Sequence, residues 1–194
     1  RLAALGRSRS LPPAVGGRVE SHGWFTDLVD STGHARRMGD RAVTDLATRL
    51  ERALVGVAGR RGGDILSGIT LGDGAVALFA DGAEAVRAGF DAVGAARRLG
   101  VEIYVGIDTG PVVIERHRAY GTTVNTAARF CDAAEPGEVA VSTRVAETLD
   151  GDPTIEFVHR GTTPRKGIDG DQAVCTARHT TTEGNDDDHR QPAN

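Results

Sequence analysis

The chain has 194 residues, 39% of them hydrophobic and 26% charged, with a net charge of −4. That length suits one domain with a proper core and loose ends, and the acidic balance gives no electrostatic case for nucleic acid as a partner. No apolar run approaches the roughly 18 residues that span a bilayer, and no secretory signal is visible, so a cytoplasmic chain without a membrane segment is expected.

Residues 1–17 mix Arg, Ser and Gly with a Pro12-Pro13 pair and read as a linker or tail. The stretch 18–27 reads as a first strand, although Glu20, Ser21 and His22 make it unusually polar for a central position. His22 reads as a strand or loop histidine without a role. Residues 32–60 read as one helix, with Ala42, Val43, Leu46, Leu50, Ala53, Leu54 and Val57 along an apolar face, ended by Gly62-Gly63. Residues 65–70 and 75–79 form two short strands around Gly72-Asp73-Gly74, a hairpin by its turn chemistry. A second amphipathic helix covers 83–99, a strand covers 101–107, and Gly110 to Val113 leads toward a return strand. Then follow a helix over 123–134, a strand over 138–141, a short helix over 143–149 and a strand over 154–158. The first elements read β-α-β-β-α-β, an α+β fold in the ferredoxin-like arrangement, with helices packed on an antiparallel sheet. The domain is bounded at 18–178, and 179–194, with Asp186-Asp187-Asp188, reads as a disordered acidic tail whose charge run is solvated. Cys131 and Cys175 match no metal spacing and read as buried free thiols in a reducing compartment.

Because such an architecture hosts many functions, the function has to come from the site. Asp27 closes the first strand, and Asp73 sits in the hairpin that the topology makes its neighbour, side by side at one edge of the sheet. Two carboxylates held close repel unless a cation lies between them, and Mg²⁺ takes few protein ligands while sharing the rest with phosphate and water. Ser31 and Thr32 follow at a helix start, where free backbone N–H groups favour phosphate. Asn125 and Arg129 are i and i+4 on a helix and point the same way. Together these segments describe a site for phosphate chemistry.

Several segments resemble the class III nucleotidyl (adenylate/guanylate) cyclase catalytic domain. They are Phe25 to Thr32, Leu71 to Phe79, Val105 to Gly110, Val124 to Arg129, Glu135 to Glu138 and Lys166-Gly167, in the family's order. The resemblance implies the cyclase form of the βαββαβ core and a phosphorus–oxygen lyase. Such an enzyme converts ATP or GTP to a 3′,5′-cyclic nucleotide and pyrophosphate in cyclic-nucleotide signalling. It implies two Mg²⁺ or Mn²⁺ ions on Asp27 and Asp73, with the Leu28 carbonyl as a further ligand. It assigns Asn125 to the ribose, Arg129 to charge developing on the α-phosphate and Lys166 to the terminal phosphates. It also implies a homodimer in which the carboxylates of one chain face Asn125 and Arg129 of the other.

Two positions depart from the family's pattern. Members that use ATP carry a lysine where this chain has Ile69 and an aspartate where it has Arg118. Each lost hydrogen bond to the base forfeits roughly 1–3 kcal/mol of binding or discrimination. Three outcomes fit: slow turnover with poor choice between ATP and GTP, a tilt toward GTP through Arg118 and guanine O6, or a silent module that regulates or dimerises within a longer signalling protein. Retention of Asp27, Asp73, Asn125 and Arg129 together argues against silence. A diguanylate cyclase is a further reading, invited by Arg61-Gly62-Gly63-Asp64, but no acidic pair with an aromatic follows in a hairpin.

Overall fold

The computed structural model describes residues 18–66, 74–115, 118–163 and 172–180. Their central feature is a mostly antiparallel sheet in the order β2-β3-β1-β4-β6-β8-β7. Its strands are β1 (Arg18–Leu28), β2 (Asp64–Ile65), β3 (Ala75–Phe79), β4 (Ile103–Glu115), β5 (Arg118–Tyr120), β6 (Val139–Ser142), β7 (Ile155–Thr163) and β8 (Gln172–His179). The order β2-β3-β1-β4 is the one expected of a βαββαβ unit. β6 adds to β4 in parallel, β8 follows antiparallel to β6, and β5 folds back on the far half of β4.

Polar as it is, β1 occupies an interior position, paired with β3 on one side and β4 on the other. Its side chains explain why this is tolerated. Trp24 is fully buried and meets Phe79 edge to face, with ring centroids 6.2 Å apart. Ser21 Oγ donates to the Phe79 carbonyl at 3.0 Å, and the Thr26 hydroxyl lies on Ala75, accepting from its N–H at 2.9 Å. Small polar groups whose hydrogen bonds are met inside the sheet cost little to bury.

The expected helix over 32–60 is two helices, α1 (Ser31–Met38) and α2 (Asp40–Arg60), broken at Gly39 with φ 80°. That left-handed conformation is open to glycine and ends α1. α2 buries Leu46, Leu50, Leu54, Val57 and Ala58. α3 (Gly82–Arg98) is capped by Asp81, whose carboxylate accepts from the N–H groups of Ala83 and Glu84. α2 and α3 cover one face of the sheet, over Trp24, Leu28, Ala75, Ala77, Phe79, Ile103, Val105 and Ile107.

α4 (Thr122–Ala133) lies on the other face, where Val124 packs with Val76, Leu78 and Val112, and Phe130 with Ala140 and Val174. Helices therefore cover both faces of the sheet. A final short helix, α5 (Thr143–Thr148), starts from the cap Ser142. β8 was not foreseen in the sequence: it runs between β6 and β7, burying Val174 on one face and Cys175 on the other. A strand buried on both sides loses the alternation that identifies strands.

Candidate active site

Asp27 is the last residue but one of β1 and is half-buried. Leu28, Trp24 and Thr26 alternate with it, so its carboxylate belongs to the α4 side of the sheet, opposite the Trp24 core. There it lies near Cys131 of α4. Burial, and then the nearby Asp27 carboxylate, push the thiol's pKa well above its ordinary value. Cys131 and Cys175 are both buried free thiols, as expected.

The chain returning toward β3 closes on this strand end. A Cβ built on Gly74 would lie 2.0 Å from the Thr26 carbonyl oxygen and 3.3 Å from Asp27 Cα. Only a residue without a side chain can pass so near the backbone beneath Asp27. Asp27 therefore ends a strand flanked by β3 and β4, with Gly74 against it. Asp73, Ile69 and Lys166 lie outside the described residues. Arg118 is the first residue of β5.

The donors at this strand end, a half-exposed carboxylate and the Leu28 carbonyl, are hard oxygens of the kind Mg²⁺ and Mn²⁺ take. The residues fit such a cation. Among the described residues, no three His, Cys, Asp or Glu side chains gather into a self-contained metal cluster.

Ser31 and Thr32 do open a helix, but its amino end already holds a carboxylate. Asp30, at φ 52° and ψ 43°, caps α1 by accepting from Gly33 N–H at 3.1 Å, and Arg37 reaches it at 3.1 Å. The hydrogen bond from Arg37 holds the exposed Asp30 carboxyl below its ordinary pKa, so it is charged at neutral pH. A phosphate approaching Ser31 and Thr32 would meet that charge. This residue was in view in the sequence, but its left-handed backbone and cap were not.

Asn125 and Arg129 share one side of α4. Two residues further along, and so about 200° around the helix, Ala127 and Cys131 face the sheet and are almost completely buried. Asn125 is exposed and Arg129 half-buried. The helix sits unusually low on the sheet: a Cβ on Gly106 would come within 2.0 Å of the Ala127 carbonyl and 2.2 Å of the Cys131 nitrogen. One helix thus turns Ala127 and Cys131 to the sheet and Asn125 to solvent, with Arg129 half-buried.

Near the start of α4, Asp108 is fully buried, and Arg144 Nη2 donates to its two oxygens at 3.0 and 2.9 Å. On the α3 side, the His22 ring packs against Gly82, and burial lowers its pKa. Two surface clefts, of about 530 and 510 Å³, lie elsewhere. The first runs between α3, the turn at 135–138 and strands β7 and β8. The second borders Asp30, Arg37 and Glu102. Asp27, Asn125 and Arg129 line neither.

The sequence profile described as "Adenylate and Guanylate cyclase catalytic domain" matches residues 76–177. An adenylate cyclase of Glutamicibacter nicotianae is 32% identical over 150 residues, 74% of this chain and 36% of that protein. Among solved structures, the adenylyl cyclase CyaB from P. aeruginosa superposes with a TM-score of 0.77 at 21% identity, covering 87% of this chain and 98% of that one. The guanylyl cyclase Cya2 gives 0.76 at 21% identity, covering 89% and 98%. The chain spans about a quarter to under a half of the length of the curated relatives it matches, whereas it spans nearly all of those two solved chains. With this sheet order, a helix on its reverse face bearing Asn125 and Arg129, and a family profile covering more than half of its residues, the chain belongs to the adenylate and guanylate cyclase catalytic domain family.

Proposed function

We propose that this domain converts ATP or GTP to a 3′,5′-cyclic nucleotide and pyrophosphate at sites shared between two copies of the chain. Asp27, Asp73 and the Leu28 carbonyl hold two divalent cations, Mg²⁺ or Mn²⁺. When bound, such ions acidify the ribose 3′-hydroxyl and neutralise the triphosphate. Asn125 orients the ribose by hydrogen bonding, Arg129 offers its planar donors to the charge growing on the α-phosphate, and Lys166 binds the terminal phosphates. Ile69 and Arg118 border the purine, and their chemistry sets the choice between ATP and GTP. The Ser31 and Thr32 N–H groups contribute to phosphate binding to the extent that Asp30 yields the helix end.

The observation that carries this reading is the geometry of α4. Its sheet side is filled by the buried Ala127 and Cys131, so the exposed Asn125, about 200° away on the helix, is turned from the sheet and toward whatever packs on that face.

The test is incubation of the purified chain with Mn²⁺ and either nucleotide, followed by detection of cyclic product. Product should vanish in Asp73→Ala and in Arg129→Ala. It should return when the two variants are mixed, because each hybrid dimer rebuilds one intact site. Two folded variants that fail to rescue one another would refute the shared site. Equal initial rates with ATP and GTP would reject a guanine-selecting role for Arg118.

A further inference from the structure

α4 carries Asn125 and Arg129, yet its own last turn holds no basic side chain to meet the carbonyls left unpaired at a helix end. The cation there comes from β7. Arg160 Nη1 donates to the carbonyl of Ala133, the last residue of α4, at 3.5 Å, and Nη2 donates to the Glu135 carboxylate at 3.3 Å. Nη1 also pairs with Glu138, whose side chain is only 8% exposed. The Glu138 carboxylate further accepts from the Thr176 hydroxyl of β8 and from the Glu135 N–H at 2.6 Å. The turn at 135–138 is tied in addition to β4: Gly137 N–H donates to the Ile103 carbonyl at 2.9 Å, and Val105 N–H to that of Glu138 at 3.2 Å. Arg160 is the extra residue of a bulge. His159 pairs with Cys175 and Gly161 with Val174, so Arg160 takes no rung of the β7–β8 ladder, and bulges of this kind re-aim a side chain.

We infer that Arg160, braced by the Glu138 carboxylate, is a positioning residue for Arg129. Arg129 and Ala133 are i and i+4 on α4, one turn apart on one face, so the guanidinium that holds the last carbonyl of the helix also sets where Arg129 stands. The fork suits this task because it reaches the helix end and two carboxylates at once. Neither Arg160 nor Glu138 touches nucleotide or cation in the proposed reaction; both act through the helix. The inference rests on the proposed role of Arg129 in a site shared between two chains.

The experiment uses the full chain with Mn²⁺ and nucleotide, and reads kcat and KM separately beside thermal unfolding. Arg129 is assigned to charge that grows only in the transition state, so its displacement lowers kcat and spares KM. Arg160→Ala should lower kcat by about 10–100-fold, with KM within about threefold of the unaltered chain. Mixing then shows which half of the site is damaged. With Asp73→Ala, whose α4 is intact, Arg160→Ala should regain about a quarter of the unaltered rate, because about half of the dimers are hybrids with one good site each. With Arg129→Ala it should regain nothing. Arg160→Lys keeps a cation on the buried carboxylate but not the fork, and takes the place of alanine in the same assays if alanine does not fold. A folded variant with kcat within about twofold of the unaltered chain would overturn the positioning role. So would a loss that Asp73→Ala does not rescue, the mark of a general packing defect, or one that Arg129→Ala rescues, which would put the damage on the carboxylate side. Asp73→Ala and Arg129→Ala mixed together are the control. If they fail to rescue one another, the shared site falls and takes this inference with it; if they do, and the Arg160 variant departs from the expected pattern, only the positioning role falls.

Discussion

Gly106→Ala is the most demanding test of how α4 is seated. The added Cβ would stand 2.0 Å from the Ala127 carbonyl oxygen, 2.2 Å from the Cys131 nitrogen and 2.9 Å from its Cα. All three atoms are helix backbone, so no rotamer change relieves the overlap, and α4 has to lift by more than an ångström. Overpacking of this kind costs typically 1–3 kcal/mol, and a gap of about 0.5–1 Å also forfeits a quarter to a half of the dispersion between helix and sheet. A loss of about 3 kcal/mol follows, which for a domain of this size lowers the unfolding midpoint by about 6–12 °C. The lifted helix also displaces Asn125 and Arg129, and misplacement by about 1 Å can cost on the order of 100-fold in rate. Circular dichroism melts and cyclic-product assays, run beside Gly23→Ala, read both effects. Gly23 is the built-in control, because its Cβ would meet α4 only at 3.6–3.7 Å, ordinary contact. A Gly106→Ala chain as stable and active as Gly23→Ala would refute the close seating of α4.

Asp30→Asn keeps a residue that caps helices and accepts the left-handed backbone but removes the charge beside Ser31 and Thr32. Nucleotide KM should fall about two- to fivefold at low salt, with the difference shrinking as salt screens it; an unchanged KM at low salt would show that phosphate does not approach this end. Arg144→Ala leaves the Asp108 carboxylate buried without its guanidinium and should cost about 2–3 kcal/mol in urea unfolding, less than for fully buried pairs because Arg144 reaches water. A change below about 0.5 kcal/mol would mean the pair is energetically idle. His22 resists protonation in the folded chain: burial lowers its pKa from 6.5, against the opposing pull of Asp81, Asp108 and Glu20. The unfolded chain therefore binds more protons as pH falls through that value, and stability present at pH near 7.5 is lost toward 5.5. His22→Gln should flatten that slope in melts, and parallel slopes for the two chains would exclude His22 as its source.

Much of this architecture is legible in residues whose environment is local. The apolar stripe from Leu46 to Val57 names α2 because only one side of that helix is buried. What escapes depends on partners distant in sequence. β8 hides because Val174 and Cys175 are buried on opposite faces, and the break at Gly39 hides because Arg36 to Met38 continue a helical pattern up to it. The polar run from Glu20 to His22 looks unfit for a central strand until Ser21 is seen bonded to Phe79 and His22 packed on Gly82. At the site, Asp27, Asn125 and Arg129 stand out by residue type and spacing.

The pairing of β1 on both flanks protects the proposed site from a specific error. A slide of one residue along either neighbour would exchange the strand's two sides and turn the carboxylate of Asp27 into the dry layer around Trp24 and Ile103, where an ion has neither water nor a countercharge. Being held from left and right at once, the strand has nowhere to creep, and the acid stays on the α4 side of the sheet.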